Sequence, residues 1–301
     1  MVKADILIIG GGLTGLTLQY LLRNEKQKVV VLEARDRLGG RIHTAATPSG
    51  VSIEMGATWL GPKHTRLNHL LKELELDLFP QVLGSRAIYE WISTSPHQLV
   101  ELPANEEPSF RIRGGTSTLI RRLSEYADHK SLFMDQEVQR IARSEDGIRV
   151  TTQSQVFEAD FVVSTLPPYL LNHRIEISPA LPIDMSRLME QTHTWMGESI
   201  KIGLAFEQPF WRKANSSGTV FSNVGPVSEL YDHSDFADTR FALKGFFNPT
   251  YYSLTKEQRL EMVLGQLRKY FGSSAESFTS YQEKVWAQEE FTFAPYQSHL
   301  L

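Results

Sequence analysis

The sequence predicts an α/β fold built around a buried parallel sheet, and three observations near its start carry that expectation. Residues 4–9, ADILII, form a short apolar run of the kind that a parallel sheet buries on both faces. Residues 14–24 then read as a helix, with Leu16, Leu18, Tyr20, Leu21 and Leu22 apolar. A second run, KVVVLE at residues 28–33, reads as the next strand. Together they make a βαβ unit of about 30 residues.

Composition sets the outer bounds. The 301 residues suffice for two domains of ordinary size. With 41% hydrophobic and 10% aromatic residues the chain can bury a large core, which excludes a disordered protein. A net charge of −4, with both signs mixed along the chain, argues against nucleic acid or an anionic membrane surface as partner. Cysteine is absent, which rules out disulfides, thiolate nucleophiles, cysteine–zinc sites and thioether-linked cofactors within these residues. His43, His64, His69, His193 and His299 show no metal-ligand spacing, so no metal is expected. The first residues lack the long apolar core of a signal peptide, and no apolar stretch approaches the length of a membrane span. These features lead to the expectation of a soluble, cytoplasmic protein.

Further along, residues 64–75 form an amphipathic helix with Leu67, Leu70, Leu71 and Leu74 on one face. Residues 76–110 carry prolines at 80, 96, 103 and 108 and read as irregular, a departure from the nucleotide-type domain. A helix follows the Gly-Gly turn over residues 114–127. Residues 137–166 alternate, turn at Glu145-Asp146-Gly147 and end in the buried strand FVVSTL. Residues 199–206, SIKIGLAF, alternate strictly, with Ile200, Ile202, Leu204 and Phe206 on one face and Lys201, Gly203 and Ala205 on the other. The stretch WRKANSS, residues 211–217, reads as a solvated turn. Thr255 and Gln258 form a capping box for a helix that runs to about Phe271, with Gly272 past its end. There is no internal repeat.

The turn between the first strand and helix carries the chemistry. Gly10, Gly12 and Gly15 make G-x-G-x-x-G in the context that the motif requires, and the whole turn (Gly10, Gly11, Gly12, Leu13, Thr14, Gly15) is a candidate dinucleotide site. Gly10 permits the tight turn, Gly12 lets backbone approach a pyrophosphate, and Gly15 lets helix and strand pack closely. The helix N-terminus offers free N–H groups and partial positive charge to phosphates. Glu33 ends the second strand, where its carboxylate can accept both hydroxyls of an adenosine ribose. This makes the first domain Rossmann-like. The following stretch, EARDRLGGRIHT from Glu33 to Thr44, separates NAD from FAD. A second Gly-Gly turn, Gly39-Gly40, followed by Arg41, suits a cofactor with a bulky second half whose pyrophosphate needs a cation. Ala34 and Arg35 belong to the same candidate site.

At this point several motifs, in order, resemble the flavin-containing amine oxidases of the monoamine oxidase type. GGGLTGL and LEARDRLGGR resemble the family's FAD fingerprint. EMGATWLGP (54–62) resembles the segment beneath the flavin ring, which implies that Gly56, Ala57, Thr58 and Trp59 lie near the flavin. FRIRGGTSTLI (110–120) resembles the return into the FAD domain, and Val138 begins a strand that in the family touches adenine through its backbone. GESIKIGLAFEQPFW (197–211) resembles the strand that carries the active-site lysine, here Lys201, which implies a water held near flavin N5 and help with reoxidation by oxygen. VWAQEEFTFAPY (285–296) resembles the segment leading to the aromatic cage, with Tyr296 as one wall. A lysine beside two small residues would also leave room for a planar ring.

The resemblance implies an FAD-binding domain of residues 1–75, 109–178 and 286–301, interleaved with a smaller α+β substrate domain of residues 76–108 and 179–285. It implies an FAD-dependent amine oxidase acting on a small-molecule amine and O2: hydride passes from the amine α-carbon to flavin N5, and oxygen is reduced to hydrogen peroxide. Three departures accompany it. The first substrate-domain segment is short, about 35 residues. Pro295 stands where the mitochondrial enzymes link FAD to cysteine, so the FAD is expected to be non-covalent. The residues given stop at Leu301, before the family's C-terminal FAD motif, and the expectation is of a chain cut short there. Two alternatives stay open: an FAD-dependent desaturase or porphyrinogen-type oxidase, and a non-catalytic FAD-binding protein. The oligomeric state leaves no mark in the sequence.

Overall fold

A computed structural model describes residues 1–104, 107–192, 194, 196–213 and 216–293. Contacts divide them into two compact units: Met1–Arg41, Ile120–Gly197 and the described residues from Ala287, and then Ile42–Leu119 with Glu198–Trp286. The α/β class holds.

The first unit is built on β1 (Val2–Ile9), β2 (Val29–Leu32), β9 (Leu132–Phe133), β10 (Val138–Ser144), β11 (Gly147–Thr152), β12 (Val156–Ser164) and β13 (Glu176–Ser178), with α1 (Leu13–Leu21), most of α3 (Ser117–Glu125), α4 (Pro168–Arg174) and α5 (Ile183–Gln191). Its sheet runs β13-β10-β11-β12-β1-β2-β9. β1 pairs in parallel with β2, Ile6 opposite Val29, and with β12, Ile6 opposite Phe161. Leu7, Ile9, Val30, Leu32, Val150 and Phe157 pack into one core. The predicted strands and the Gly147 turn are all present. The end of β12 is less buried than its apolar run suggests, with Phe161 67% exposed.

The second unit holds β3 (Thr44–Ala46), β4 (Ser52–Glu54), β5 (Leu78–Pro80), β6 (Arg86–Glu90), β7 (Gln98–Glu101), β8 (Phe110–Ile112), β14 (Ile200–Phe206), β15 (Ser216–Ser222), β16 (Val227–Asp232), β17 (Phe241–Phe247) and β18 (Phe278–Val285), with α2 (Thr65–Glu73) and α6 (Lys256–Phe271). Its main sheet runs β18-β14-β17-β16-β15-β6-β7. The stretch 76–110, irregular by sequence, therefore supplies strands. β6 and β7 form an antiparallel pair that extends this sheet through β15, and β5 pairs with β8. Prolines sit outside β6 and β7 or at the end of β5, where no ladder hydrogen bond is lost. Contacts also place 42–75 and 109–119 in this unit. Thr116 N–H donates to Glu54 at 2.5 Å, and Ser117 N–H to Thr44 Oγ1 at 2.9 Å. The boundaries that the family resemblance implies assign these two segments to the FAD-binding domain instead.

β14 is buried along its whole length: β17 and β18 flank both its edges, and Ile53 and Met55 pack on one of its faces. The 211–217 stretch is not a solvated turn at its start. Trp211 is 2% exposed, donates from its indole to Asp232 at 2.8 Å and lies against Gly218, where a Cβ would come within 2.5 Å of its ring. α6 begins at the predicted capping box, with Gln258 N–H donating to Thr255 Oγ1 and the Gln258 side chain receiving Thr255 N–H. Replacing Thr255 with alanine is expected to cost about 1 kcal/mol, read by chemical denaturation. No helix among the described residues is long and apolar enough to cross a membrane.

Candidate functional site

In the first unit the two glycine turns lie against each other. Gly39 N–H donates to the Gly11 carbonyl at 2.9 Å, and Gly12 bridges to Gly39. A Cβ on Gly40 would sit 3.4 Å from the Gly12 Cα, so side chains at either turn would fill the cradle. Gly10 and Gly39 both have φ of +108°, which only glycine adopts without strain. α1 opens directly from Gly12 with no side chain capping it, and Leu13 and Thr14 form its first turn. Its first N–H groups therefore face outward as donors for an anion.

Glu33 is buried at the end of β2. Its Oε2 accepts Gly11 N–H at 2.8 Å, and its Oε1 accepts Arg35 N–H at 3.1 Å. The carboxylate is thus pinned beside the glycine turn, past Ala34. Arg35 donates from Nη1 to Glu289 at 2.9 Å, while its buried Nε lacks a hydrogen-bond partner. Arg41 makes no hydrogen bond or ion pair to any described residue, which leaves its guanidinium for an anion. Val138 points into the core, so only its main chain is available to a ligand. An uncapped helix start, a cradle that a Cβ would fill and a fixed carboxylate fit the pyrophosphate and ribose of FAD. Glu33→Ala is expected to weaken FAD binding by about 1–3 kcal/mol, measured by fluorescence titration.

In the second unit a face of the main sheet carries Lys201. The cross-strand register aligns Lys284, Lys201, Phe246 and Glu229 in one row, and Gln282, Gly203, Lys244 and Tyr231 in the next. Lys201 donates to the Gly56 carbonyl and lies 5.2 Å from the Phe246 ring. Lys244 is fully buried, donates to Thr58 Oγ1 and lies 4.5 Å from the Trp59 ring. The Thr58 hydroxyl in turn donates a hydrogen bond to the Gly56 carbonyl at 3.1 Å. Both lysines therefore converge on one carbonyl and tether the segment 56–59 to the sheet. Ala57 is exposed, and Trp59 is half-buried, donating to Gln81 Oε1 at 3.0 Å.

The small residues beside Lys201 do not leave room for a ring. A Cβ on Gly203 would lie 2.4 Å from Ile53 Cγ2, and Ala205 packs with Ile53, Met55 and Ala242. They accommodate the hairpin β3–β4. The hairpin brings in Glu54, whose backbone N–H donates to His233 Nε2 at 3.2 Å. Burial raises the Glu54 pKa and drives those of Lys244 and His233 well down. Lys201 is pushed down to about 8 by burial, partly offset by Glu54. Its protonated form therefore opposes folding. That cost is full below pH 8 and is relieved as pH rises towards 10.5, the ordinary lysine value. Stability relative to Lys201→Met should accordingly climb across that interval, as followed by thermal unfolding.

Lys244, Glu54 and His233 escaped the sequence reading. A lysine inside the apolar run FALKGFF was the available signal for the first. Tyr296 and Pro295 lie outside the described residues. Among the described residues no group of His, Asp or Glu could hold a metal ion.

Comparison with known proteins agrees with the glycine cradle. A family profile, flavin containing amine oxidoreductase, matches residues 13–94 and 86–299. An L-amino acid dehydrogenase of Synechocystis is 22% identical across 99% of this chain and 84% of its own length. Human amine oxidase [flavin-containing] B is 22% identical across 99% of this chain and 76% of its own. The first alignment is 402 positions long against 301 residues here, so that relative carries chain within the matched span that has no counterpart. Putrescine oxidase bound to putrescine superposes with a TM-score of 0.86 at 24% identity, over 98% of this chain and 87% of that one. Cyclohexylamine oxidase from Brevibacterium oxydans gives 0.84 at 20% identity, over 96% and 86%. The chain belongs to the flavin-containing amine oxidoreductase family, and its cofactor is FAD.

Proposed function

We propose that the protein oxidises a small neutral amine to an imine, which water then hydrolyses. Support comes from the buried Lys201 amine, anchored to Gly56 on a sheet face lined by Trp59, Phe246 and Tyr231. The relatives carry names of amine oxidases or of an amino acid dehydrogenase, which agrees with an amino group at the reacting carbon. FAD, held by the glycine cradle and Glu33, would supply a two-electron acceptor for the hydride of the amine α-carbon, with O2 as final oxidant and hydrogen peroxide as product.

The chain's own residues bind and position. In this reading the first unit holds the nucleotide half of the cofactor: Gly12, Gly40 and the start of α1 take the pyrophosphate, Arg41 neutralises it, and Glu33 takes the ribose hydroxyls. The second unit presents the substrate face. An ammonium has three donors. Lys201 spends one on Gly56 and can hold a water with another. The aromatic rings guide the amine and keep bulk water from the reacting C–H. Tyr296 would add a cage wall.

Anaerobic titration with a panel of amines tests the reading. The visible flavin absorbance should bleach, and admitting air should restore it with one peroxide formed per turnover. Bleaching by polyenes or porphyrinogens alone would place the protein among C–C desaturases, and no bleaching by either class would leave the flavin structural. Acid precipitation should release all of the flavin, since the 301 residues contain no cysteine to bind it.

A further inference from the structure

In the second unit three buried polar atoms without a hydrogen-bond partner gather around one arginine. Arg111 lies in the middle of β8, and His233 and Ser234 follow directly on β16. Arg111 is 8% exposed, and His233 and Ser234 are 2% exposed each. Arg111 Nη2 donates to the Ser234 carbonyl at 2.6 Å, and its guanidinium carbon lies 4.5 Å from the centre of the Phe79 ring. Arg111 Nε, His233 Nδ1 and the Ser234 hydroxyl have no partner among the described residues.

The geometry fixes where the His233 proton sits. Its Nε2 accepts Glu54 N–H at 3.2 Å, so the neutral ring carries its hydrogen on Nδ1. The ring stays neutral because burial, and then the charge of Arg111 facing it, drive its pKa well down. Two N–H donors and a hydroxyl, all cut off from bulk solvent, therefore call for an acceptor. The carboxylates nearby are engaged elsewhere. Asp232 accepts from Trp211, Arg212 and Ser234 N–H, Glu54 from Thr44 and Thr116, and Asp235 from the N–H groups of Thr239 and Arg240. None of the three forms an ion pair with Arg111. A guanidinium held out of water without a partner charge is costly. Burial pushes the Arg111 pKa down to about 10, in spite of the attraction of Asp232, Glu54 and Asp235. A water molecule could accept from the N–H groups but would leave this charge unbalanced. An anion answers both needs.

We propose that the second unit binds a small monovalent anion, of the size and charge of chloride, between Arg111 Nε, His233 Nδ1 and the Ser234 hydroxyl. The anion accepts from all three donors, and its single charge balances the single guanidinium. Its effect is on the stability of the unit, and no bond changes at the site. The proposal is independent of the oxidase reading, since it requires neither an amine nor turnover.

The test uses the FAD-loaded protein exchanged into sodium gluconate, whose bulky anion cannot follow chloride into a buried site. Chloride, bromide or nitrate then replaces gluconate at constant ionic strength, so that general screening is unchanged. The thermal unfolding midpoint should rise by about 2–4 °C for each tenfold increase of the small anion above its dissociation constant. Ser234→Ala removes one donor and no charge, and should weaken chloride about 10-fold. Arg111→Met removes the charge and the Nε–H together and should abolish the response. Should that variant fail to fold, Ser234→Ala and crystallography still decide. Crystals of the parent protein soaked in bromide should give an anomalous peak within hydrogen-bond reach of Arg111 Nε and His233 Nδ1. Equal midpoints in chloride and gluconate overturn the proposal. So does a chloride response that is unchanged in Ser234→Ala, or bromide found only at other places with water between these three donors.

Discussion

Replacing Lys201 with methionine is expected to slow reoxidation of the flavin by oxygen roughly 10²-fold, and to slow its reduction by amine much less. Oxygen acquires negative charge as it accepts electrons, and a cation fixed in a desolvated site stabilises that charge. Methionine has a similar length and no charge. With a pKa near 8, Lys201 is mostly protonated at neutral pH, so the cation is present when needed. The variant should fold at least as well as the parent, because it no longer buries an amine. Stopped-flow measurement of the two half-reactions separates the effects. If neither changes, Lys201 only braces the segment 56–59 through Gly56.

Gly15→Ala is expected to abolish folding, or to lower stability by about 4 kcal/mol or more. Its Cβ would lie 2.0 Å from the Gly10 carbonyl oxygen and 3.2 Å from both the Gly10 carbonyl carbon and Ile8 Cγ2. Two of these three atoms are backbone, so relief would require prising α1 off β1. Gly12→Ala makes the contrast. Its Cβ would meet nothing nearer than Gly40 Cα at 3.8 Å, so the protein should fold normally. The added methyl would point into the cradle and weaken FAD binding. Thermal unfolding and flavin content, measured on both variants, tell the roles apart. A wild-type melting temperature for Gly15→Ala would show that the helix–strand contact is looser than this geometry requires.

Local patterns in the chain were enough to specify the first βαβ unit, the glycine turn with Glu33, the β10–β11 turn and the capping box of α6. Each depends on residues close in sequence: an apolar run, a glycine at a forced φ, a side chain that reaches three residues along. The single lysine of β14 was also legible, since strict alternation placed it opposite the apolar face. Strand pairing over long separations was not. β6 joins the second sheet through β15, more than a hundred residues later, and nothing in 76–110 marks that partner. For the same reason Gly203 and Ala205 suggested open space, whereas Ile53, about 150 residues earlier, occupies it. The tertiary structure alone brings Lys244 beside Lys201, sets Glu54 and His233 behind them and buries Arg111 without an ion pair beside Ser234. Desolvation and proximity between distant strands create those properties, and neither is encoded in the spacing of residues along the chain.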